Sequence, residues 1–572
     1  MSRRGCLQAG CIPACGRVVP RLVLSDAPVR AVGRRRVCRR PHFSPGTLET
    51  LIMAATAQGY ITDVDYIPGF YPHMSPVAMR YAASLNRVVP PSTAGRFRYL
   101  ELGCGLGRSL TTLAAANPQG EFVGVDVNAN HVAAIDRDIA AGELTNARAI
   151  ASDFAGLPKD LGRFEFIALH GVFSWVAPEV RQQILALASE HLAAGGLLLV
   201  SYNSMPGWAH LQPIRGILRQ YAALRQGDTV QRIRDALNYL VFIRDKKAKY
   251  FEDNPRAAAY VDGLLKQDLR YLAHEYLNEH WTSFYFSEVA GMFSSAGLSF
   301  VGSLPIHTNF WDLCVRPEFQ ELFRTTSNRL VTESHKDFCA NTAFRWDIYA
   351  AEPRVMQSPE ERLKQVDDLY FRAARPGISL PHQVNLGVVT STVQGPLYET
   401  LLKTLSDRSL SLSEILKDKQ LKGNPAADLI RAVDAGVAMG LFDVSARPVE
   451  AAAGAAVTEQ AVTVASPFNR AVLASDALGG RPVALASAAT GTGHTLGDFD
   501  AAILHELSSG GPDGLVQRVD ARLTGSGRSL QQEGKPVTDP EARLKLVESA
   551  CSAFRSTSLP QLAQLGIVSA AT

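Results

Sequence analysis

The sequence predicts an α/β fold built on a parallel sheet with helices on both faces. Two observations lead there. Strand-like and helix-like segments alternate regularly through residues 97–203, which a parallel sheet needs because its strands are joined by helical crossovers. Glycines, acids and aromatics also gather just after those strands, at the carboxyl ends where open α/β sheets bind ligands.

Taken in order, "FRYLEL" at 97–102 is a short β-type run, and "SLTTLAAA" at 109–116 carries small and apolar residues at helical spacing. "EFVGVD" is the next strand, followed by a helix over 130–141 and the strand-and-turn "ARAIASDF". "FEFIALHGVF", a helix over 179–192 and a last strand, "GLLLVSY", complete the unit.

Length and composition set the frame. A chain of 572 residues exceeds a single core and implies three or four domains. No apolar run is long enough to span a bilayer. The net charge is only +3, and ten arginines fall within residues 1–50 against Asp26 and Glu49. Without that segment the body carries no electrostatic footprint for nucleic acid, and none is expected as a partner. Four of the eight cysteines, Cys6, Cys11, Cys15 and Cys38, also lie there. The other four, Cys104, Cys314, Cys339 and Cys551, are scattered without disulfide or metal spacing, which fits a reducing, cytoplasmic location. Residues 1–52 are read as an Arg-rich extension: a disordered segment, a transit peptide, or an over-long start with translation beginning at Met53.

The stretch "YLELGCGLGRSL" carries the first chemistry. Its glycines, Gly103, Gly105 and Gly107, alternate, and Arg108 stands where a dinucleotide fingerprint would place its last glycine. Glu101 just before the loop would repel a pyrophosphate but attract an ammonium group. Asp126 follows at the distance expected of an acid on a ribose, and Asp153 ends the third strand within reach of an adenine amino group. Together these residues point to S-adenosyl-L-methionine. Cys104, Val127, Ser152 and Phe154 complete the expected cofactor set, with His170 at its edge.

"LELGCGLG", "GVD" and "SDF", with "FIALHGVFSWV" and "LLVSYNSMPGW", resemble class I methyltransferases that carry a methyltransferase regulatory domain. That group includes bacterial protein-lysine methyltransferases acting on outer-membrane proteins. The resemblance runs from about Tyr60 onward and implies a Rossmann-like methyltransferase sheet at 53–210. It further implies a helical regulatory domain at 211–355, where "YLAHEYLNEHWTSFYFSEVAGMFSSAGLSFVGS" carries the likeness. A linker at 356–394, a winged-helix-like domain at 395–445, an Ala-rich connection at 446–464 and a small α+β domain at 465–572 follow.

Methyl transfer is an in-line displacement that requires a positioned neutral nucleophile. The catalytic candidates are His170, after the fourth strand, and Tyr202 and Asn203, after the fifth. Trp175, Trp208 and Tyr285 are the candidate substrate contacts, with Tyr271, His274, Glu275 and Phe286 as further cleft-lining candidates. Upstream, Tyr66, Phe70 and Tyr71 lie among prolines in a segment that reads either as a lid over the cofactor or as a strap on the sheet edge. "HEYLNEH" is not a metal motif: His274 and His280 lie six residues apart, off any shared helix face, and no metal is expected. "GTGHTLGD" at 491–498 reads as a loop. The resulting expectation is an S-adenosylmethionine-dependent methyltransferase acting on a protein substrate, lysine favoured. A cofactor-sensing regulator and a small-molecule methyltransferase are the alternatives.

Overall fold

The computed structural model describes residues 67–449, 461–532 and 535–571, with short stretches at 23–25, 56–57, 59–61, 63–64 and 457. The rest of the extension at 1–52, Tyr66 and most of the Ala-rich connection lie outside the described residues. The chain forms two compact units; the larger holds Ala55–Ala451 and Ala486–Gly493.

Its centre is a seven-stranded sheet. The strands are β1 (Phe97–Leu102), β2 (Gly120–Asp126), β3 (Ala147–Ala151), β4 (Phe164–Leu169), β5 (Leu192–Asn203), β6 (Leu298–Leu304) and β7 (Phe344–Ala351), in the order β3-β2-β1-β4-β5-β7-β6. β1 to β5 are parallel, and β7 runs antiparallel to both β5 and β6. The order reverses between β1 and β4, which opens a crevice at their carboxyl ends. Both faces are covered. On one, Leu100, Val125, Leu169, Val200 and Tyr202 pack under α4 (Pro178–His191) and α9 (Phe286–Ser295). On the other, Tyr99, Phe122, Phe166, Leu199 and Trp346 pack under α1 (Pro76–Leu85), α2 (Arg108–Ala116) and α3 (Ala129–Ala141).

The sheet does not end at residue 210 as the sequence suggested. β6 and β7 come from the segment assigned to the regulatory domain, after a helical insertion. Two short apolar runs separated from the rest by almost a hundred residues carry no local sign of which sheet they join. The insertion contains α5 (Gln212–Ala223), α6 (Thr229–Asp245), α7 (Pro255–Leu264) and α8 (Leu269–Leu277). They close around Trp208, Leu218, Leu237, Val261, Leu272 and Tyr276. An N-terminal strap is tied to them: Glu279 N–H donates to Gly59 O, and His274 Nε2 hydrogen-bonds Val64 O at 2.8 Å.

The stretch read as a linker, 356–394, is also structured. It contains a helix at Pro359–Gln365 and a strand at Tyr370–Ala373 that is central to a sheet with Leu410–Ser411 and Phe442–Ser445. Val366, Leu369 and Phe371 are buried there, an apolar content that a charged "SPEERLKQVDD" lead-in obscured. Helices at Pro396–Asp407, Leu412–Lys417 and Ala426–Ala438 pack on this sheet.

In the smaller unit, Val462–Val464 pairs antiparallel with Val568–Ala570, and Val23–Ser25 pairs with the strand at Ser529–Gln532. Helices at Asp498–Gly510 and Leu515–Gly525 flank the glycine-rich break. The loop expected at 491–498, whose first residues belong to the larger unit, is instead mostly strand, Thr492–Leu496. Only Gly491, at φ +68°, turns. Among the described residues no helix is long and apolar enough to cross a membrane.

Candidate active site

Glu101 lies on β1 on the face covered by α2. It is buried, and among the described residues its Oε2 has no hydrogen-bond partner. Burial and the neighbouring Asp126 push its carboxyl up to about 8. A buried carboxylate with an orphaned oxygen is a place for a cation.

The loop after it turns on three left-handed glycines. A Cβ on Gly103 would strike Val172 Cγ2 at 2.4 Å, and one on Gly107 would strike Ile135 Cγ1 at 2.4 Å. At Gly105 (φ +54°) a Cβ would meet nothing within 4 Å. Two of these glycines therefore serve packing, while the middle one faces open space. Cys104 turns its thiol into the core, where Gly124 leaves room for it, and offers the loop its carbonyl to Gly107 N–H.

Asp126 ends β2 and fastens this loop. Its Oδ2 accepts Gly105 N–H at 2.8 Å; its Oδ1 accepts Asn128 N–H at 2.9 Å and meets His131 Nδ1 at 3.1 Å. A carboxylate has about four acceptor directions, so Oδ2 keeps one for a hydroxyl. Val127 beside it is 40% exposed, an apolar surface open to a flat ring. Asp153 closes its own turn by accepting Gly156 N–H at 2.7 Å. Ser152 donates to Asp153 O, and Phe154 packs partly buried against the core.

At the end of β4, His170 stacks on Trp346 (centroids 4.2 Å, 12°) and leans on Tyr71 at 3.9 Å. Its Nδ1 meets Ser201 Oγ at 2.7 Å, and the same oxygen accepts Gly171 N–H. Burial, then His73, lowers its pKa to about 3, so the ring is neutral at physiological pH. Tyr71 is held there because its N–H donates to Ser109 Oγ in the first turn of α2. Sequence reasoning missed Ser201 and Trp346. A serine inside the apolar run "LLLVSY" was the one signal for the first; Trp346 depended on β7 being recognised.

Tyr202 is a correction. It is fully buried on the opposite face of β5, and its hydroxyl donates to Asp347 Oδ2 at 2.5 Å. Alternation along the strand sends Ser201 and Asn203 one way and Tyr202 the other. There it joins Arg345, Glu333, Asp337 and Ser303 in a buried network binding β5, β6, β7 and α10 (Arg329–Ala340). Asn203 stays on the site's side: its N–H donates to Ser174 Oγ at 2.8 Å, and its Nδ2 donates to Glu275 Oε1 at 3.5 Å. Trp175 is buried in the turn after β4. Trp208 lies in the core of the helical insertion, edge-on to Trp281 at 4.9 Å. Tyr285 is 53% exposed at the start of α9, and its hydrogen bonds stay within that helix start. The structure brings neither Trp208 nor Tyr285 to His170.

A seven-stranded sheet with a reversed β7, and with a glycine bend, an orphaned acid and a strand-end aspartate at its switch point, is the class I methyltransferase fold. Residues 100–196 match the methyltransferase domain family, and residues 268–351 match the predicted methyltransferase regulatory domain family. The chain is 30% identical over 515 residues to the uncharacterized protein sll1526 of Synechocystis, covering 89% of this chain and 99% of that one. It is 28% identical over 287 residues to RP789 of Rickettsia prowazekii, half of each chain. The solved structure of PKMT2 from Rickettsia typhi in complex with AdoHcy superimposes with a TM-score of 0.66, covering 88% of this chain and 99% of that one at 20% identity. The chain belongs to the family of S-adenosylmethionine-dependent methyltransferases that carry a methyltransferase regulatory domain.

Proposed function

We propose that this methyltransferase modifies lysine side chains of a protein substrate, with its accessory domains selecting that substrate. The observation that carries this reading is the aromatic enclosure at the end of β4, where Tyr71 and Trp346 flank a neutral His170. Aromatic faces attract alkylammonium and sulfonium cations, and a water-poor wall lowers an amine's pKa toward its nucleophilic form. The likeness to PKMT2, a lysine methyltransferase neighbour, supports the same acceptor class. Cytoplasmic action belongs to this reading and is supported by the free thiols of Cys104, Cys314, Cys339 and Cys551.

In this reading Glu101 receives the ammonium of the cofactor's amino-acid end, and Gly105 lets the backbone approach without a Cβ. Asp126 keeps an acceptor for a ribose hydroxyl, while Val127, Asp153 and Phe154 border the base. When bound, S-adenosylmethionine supplies an electrophilic methyl group. His170 stays uncharged because it is buried beside His73, and Ser201 orients its ring, so it adds no positive charge that would repel the sulfonium or an incoming lysine. Tyr71, anchored to α2, covers the site from the N-terminal side, which favours the lid over the edge strap.

Incubation with tritiated S-adenosylmethionine and a bacterial lysate, followed by mass spectrometry of labelled proteins, tests the acceptor. Methylated lysine is the expected product. Label confined to other side chains or to small molecules would overturn the assignment.

A further inference from the structure

Glu275 is a further buried acid near the carboxyl ends of the strands, and the cofactor assignment does not use it. It lies on α8, is 8% exposed, and both of its hydrogen bonds land on one oxygen: Asn203 Nδ2 and Trp281 Nε1 reach Oε1, at 3.5 and 3.4 Å. Oε2 accepts no hydrogen bond from the described residues, yet it is not sealed from solvent. Asn203 ends β5, the strand beside β4 and His170. Tyr271, one helical turn before Glu275, is coupled electrostatically to both Glu275 and Tyr71, and Tyr71 packs on His170. An acid with one tethered and one open oxygen therefore sits between the helical insertion and the aromatic enclosure.

We propose that Glu275 is the acceptor-binding acid: its free oxygen receives the ammonium of the incoming lysine and takes one proton from it. This rests on the lysine reading above. A lysine arrives as R–NH3+, whose nitrogen has no lone pair. Transfer of one N–H proton to Glu275 leaves R–NH2 and a neutral carboxylic acid. The freed lone pair then forms the N–C bond to the methyl group as the C–S bonding pair returns to sulfur, giving R–NH2+–CH3 and S-adenosylhomocysteine. Charge and atoms balance without any further reagent. Burial raises the Glu275 carboxyl to about 7, against the pull of Trp281, Asn203 and Arg215, which suits a base working near neutrality. The charged and titratable groups facing it are Arg215 from α5, Tyr260 from α7, and Tyr271 and Tyr276 on its own helix.

The test is calorimetric titration of the full-length protein, saturated with S-adenosylhomocysteine, with Nα-acetyl-lysine methylamide. A carboxyl titrating near 7 is about 9% ionised at pH 6 and about 91% at pH 8, so wild-type affinity is expected to rise about tenfold across that interval. Lysine itself stays protonated throughout it. Glu275→Gln is expected to weaken binding at least tenfold and to flatten the pH dependence, while affinity for S-adenosylhomocysteine stays within about twofold. Glu275→Asp, which keeps the charge, should retain the pH dependence and serves if the Gln variant does not fold. Equal, pH-independent affinity in wild type and variant, or no wild-type binding, would overturn the proposal. If lysines in the lysate carry label while the probe is indifferent to Glu275, this assignment alone falls. Label on other groups removes the lysine reading first.

Discussion

Gly105 N–H points at Asp126 Oδ2 across 2.8 Å, so the acid ending β2 buckles the glycine loop that follows β1. One carboxylate thereby shapes the bend and keeps a free direction for ligand. Asp126→Asn retains the size but loses charge assistance, worth about 1.5–3 kcal/mol for a hydrogen bond to a charged group. Affinity for S-adenosylhomocysteine should fall about ten- to a hundredfold by calorimetry, and unchanged binding would refute this double role.

With Glu101 in its proposed role as receiver of the cofactor's ammonium, cofactor binding should depend on pH. Its carboxyl is raised to about 8 in the cofactor-free protein, so it is about 1% ionised at pH 6 and about half ionised at pH 8. Because the ligand's ammonium needs the ionised form, affinity should increase about fiftyfold over that range, with proton release detectable in buffers of different ionisation enthalpy. The cofactor-free protein runs the other way. A raised acid binds more protons folded than unfolded, so stability falls as pH rises from about 4.5 to about 8. Glu101→Gln should weaken binding, remove its pH dependence and flatten this part of the stability profile.

The glycines divide by consequence. Gly107→Ala forces a side chain against Ile135 at a left-handed backbone position, and a markedly lower melting temperature is expected. Gly105→Ala pays only the backbone strain, about 1–2 kcal/mol, because its Cβ enters open space. That variant should fold yet lose most of its affinity for S-adenosylhomocysteine. Thermal melts paired with binding isotherms separate the two, and equal stability losses would contradict the assignment.

Tyr202→Phe tests the correction to the catalytic set. It removes one donor from Asp347, which keeps Arg345 and Ser303. The expected cost is about 1–2 kcal/mol in denaturant unfolding, with cofactor affinity and turnover nearly intact. A large loss of turnover at unchanged stability would return Tyr202 to the mechanism. His170→Ala should do the opposite, lowering turnover more than affinity for S-adenosylhomocysteine.

Much of the glycine bend and its flanking acids was legible because it is local. Glu101, the three glycines and Asp126 follow one another along a strand–turn–helix–strand unit, and their spacing is itself the geometry. The acceptor end was harder. Tyr202 and Asn203 are adjacent in sequence, and only the covering of β5 decides which faces the site. Trp208 and Tyr285 drew attention as aromatics, yet one belongs to a helical core and the other to solvent.

The amino-acid sequence on its own determined the alternating strands and helices, the glycine bend with its acids, and hence the methyl donor, because backbone conformation and short-range spacing are encoded locally. The tertiary structure alone decided that β6 and β7 cross almost a hundred residues to complete the sheet, that Ser201 and Trp346 support His170, and that Glu275 meets Asn203. Those pairings depend on burial between segments far apart in the chain, where each residue's partner is chosen by the packing of the whole and by nothing in its own neighbourhood.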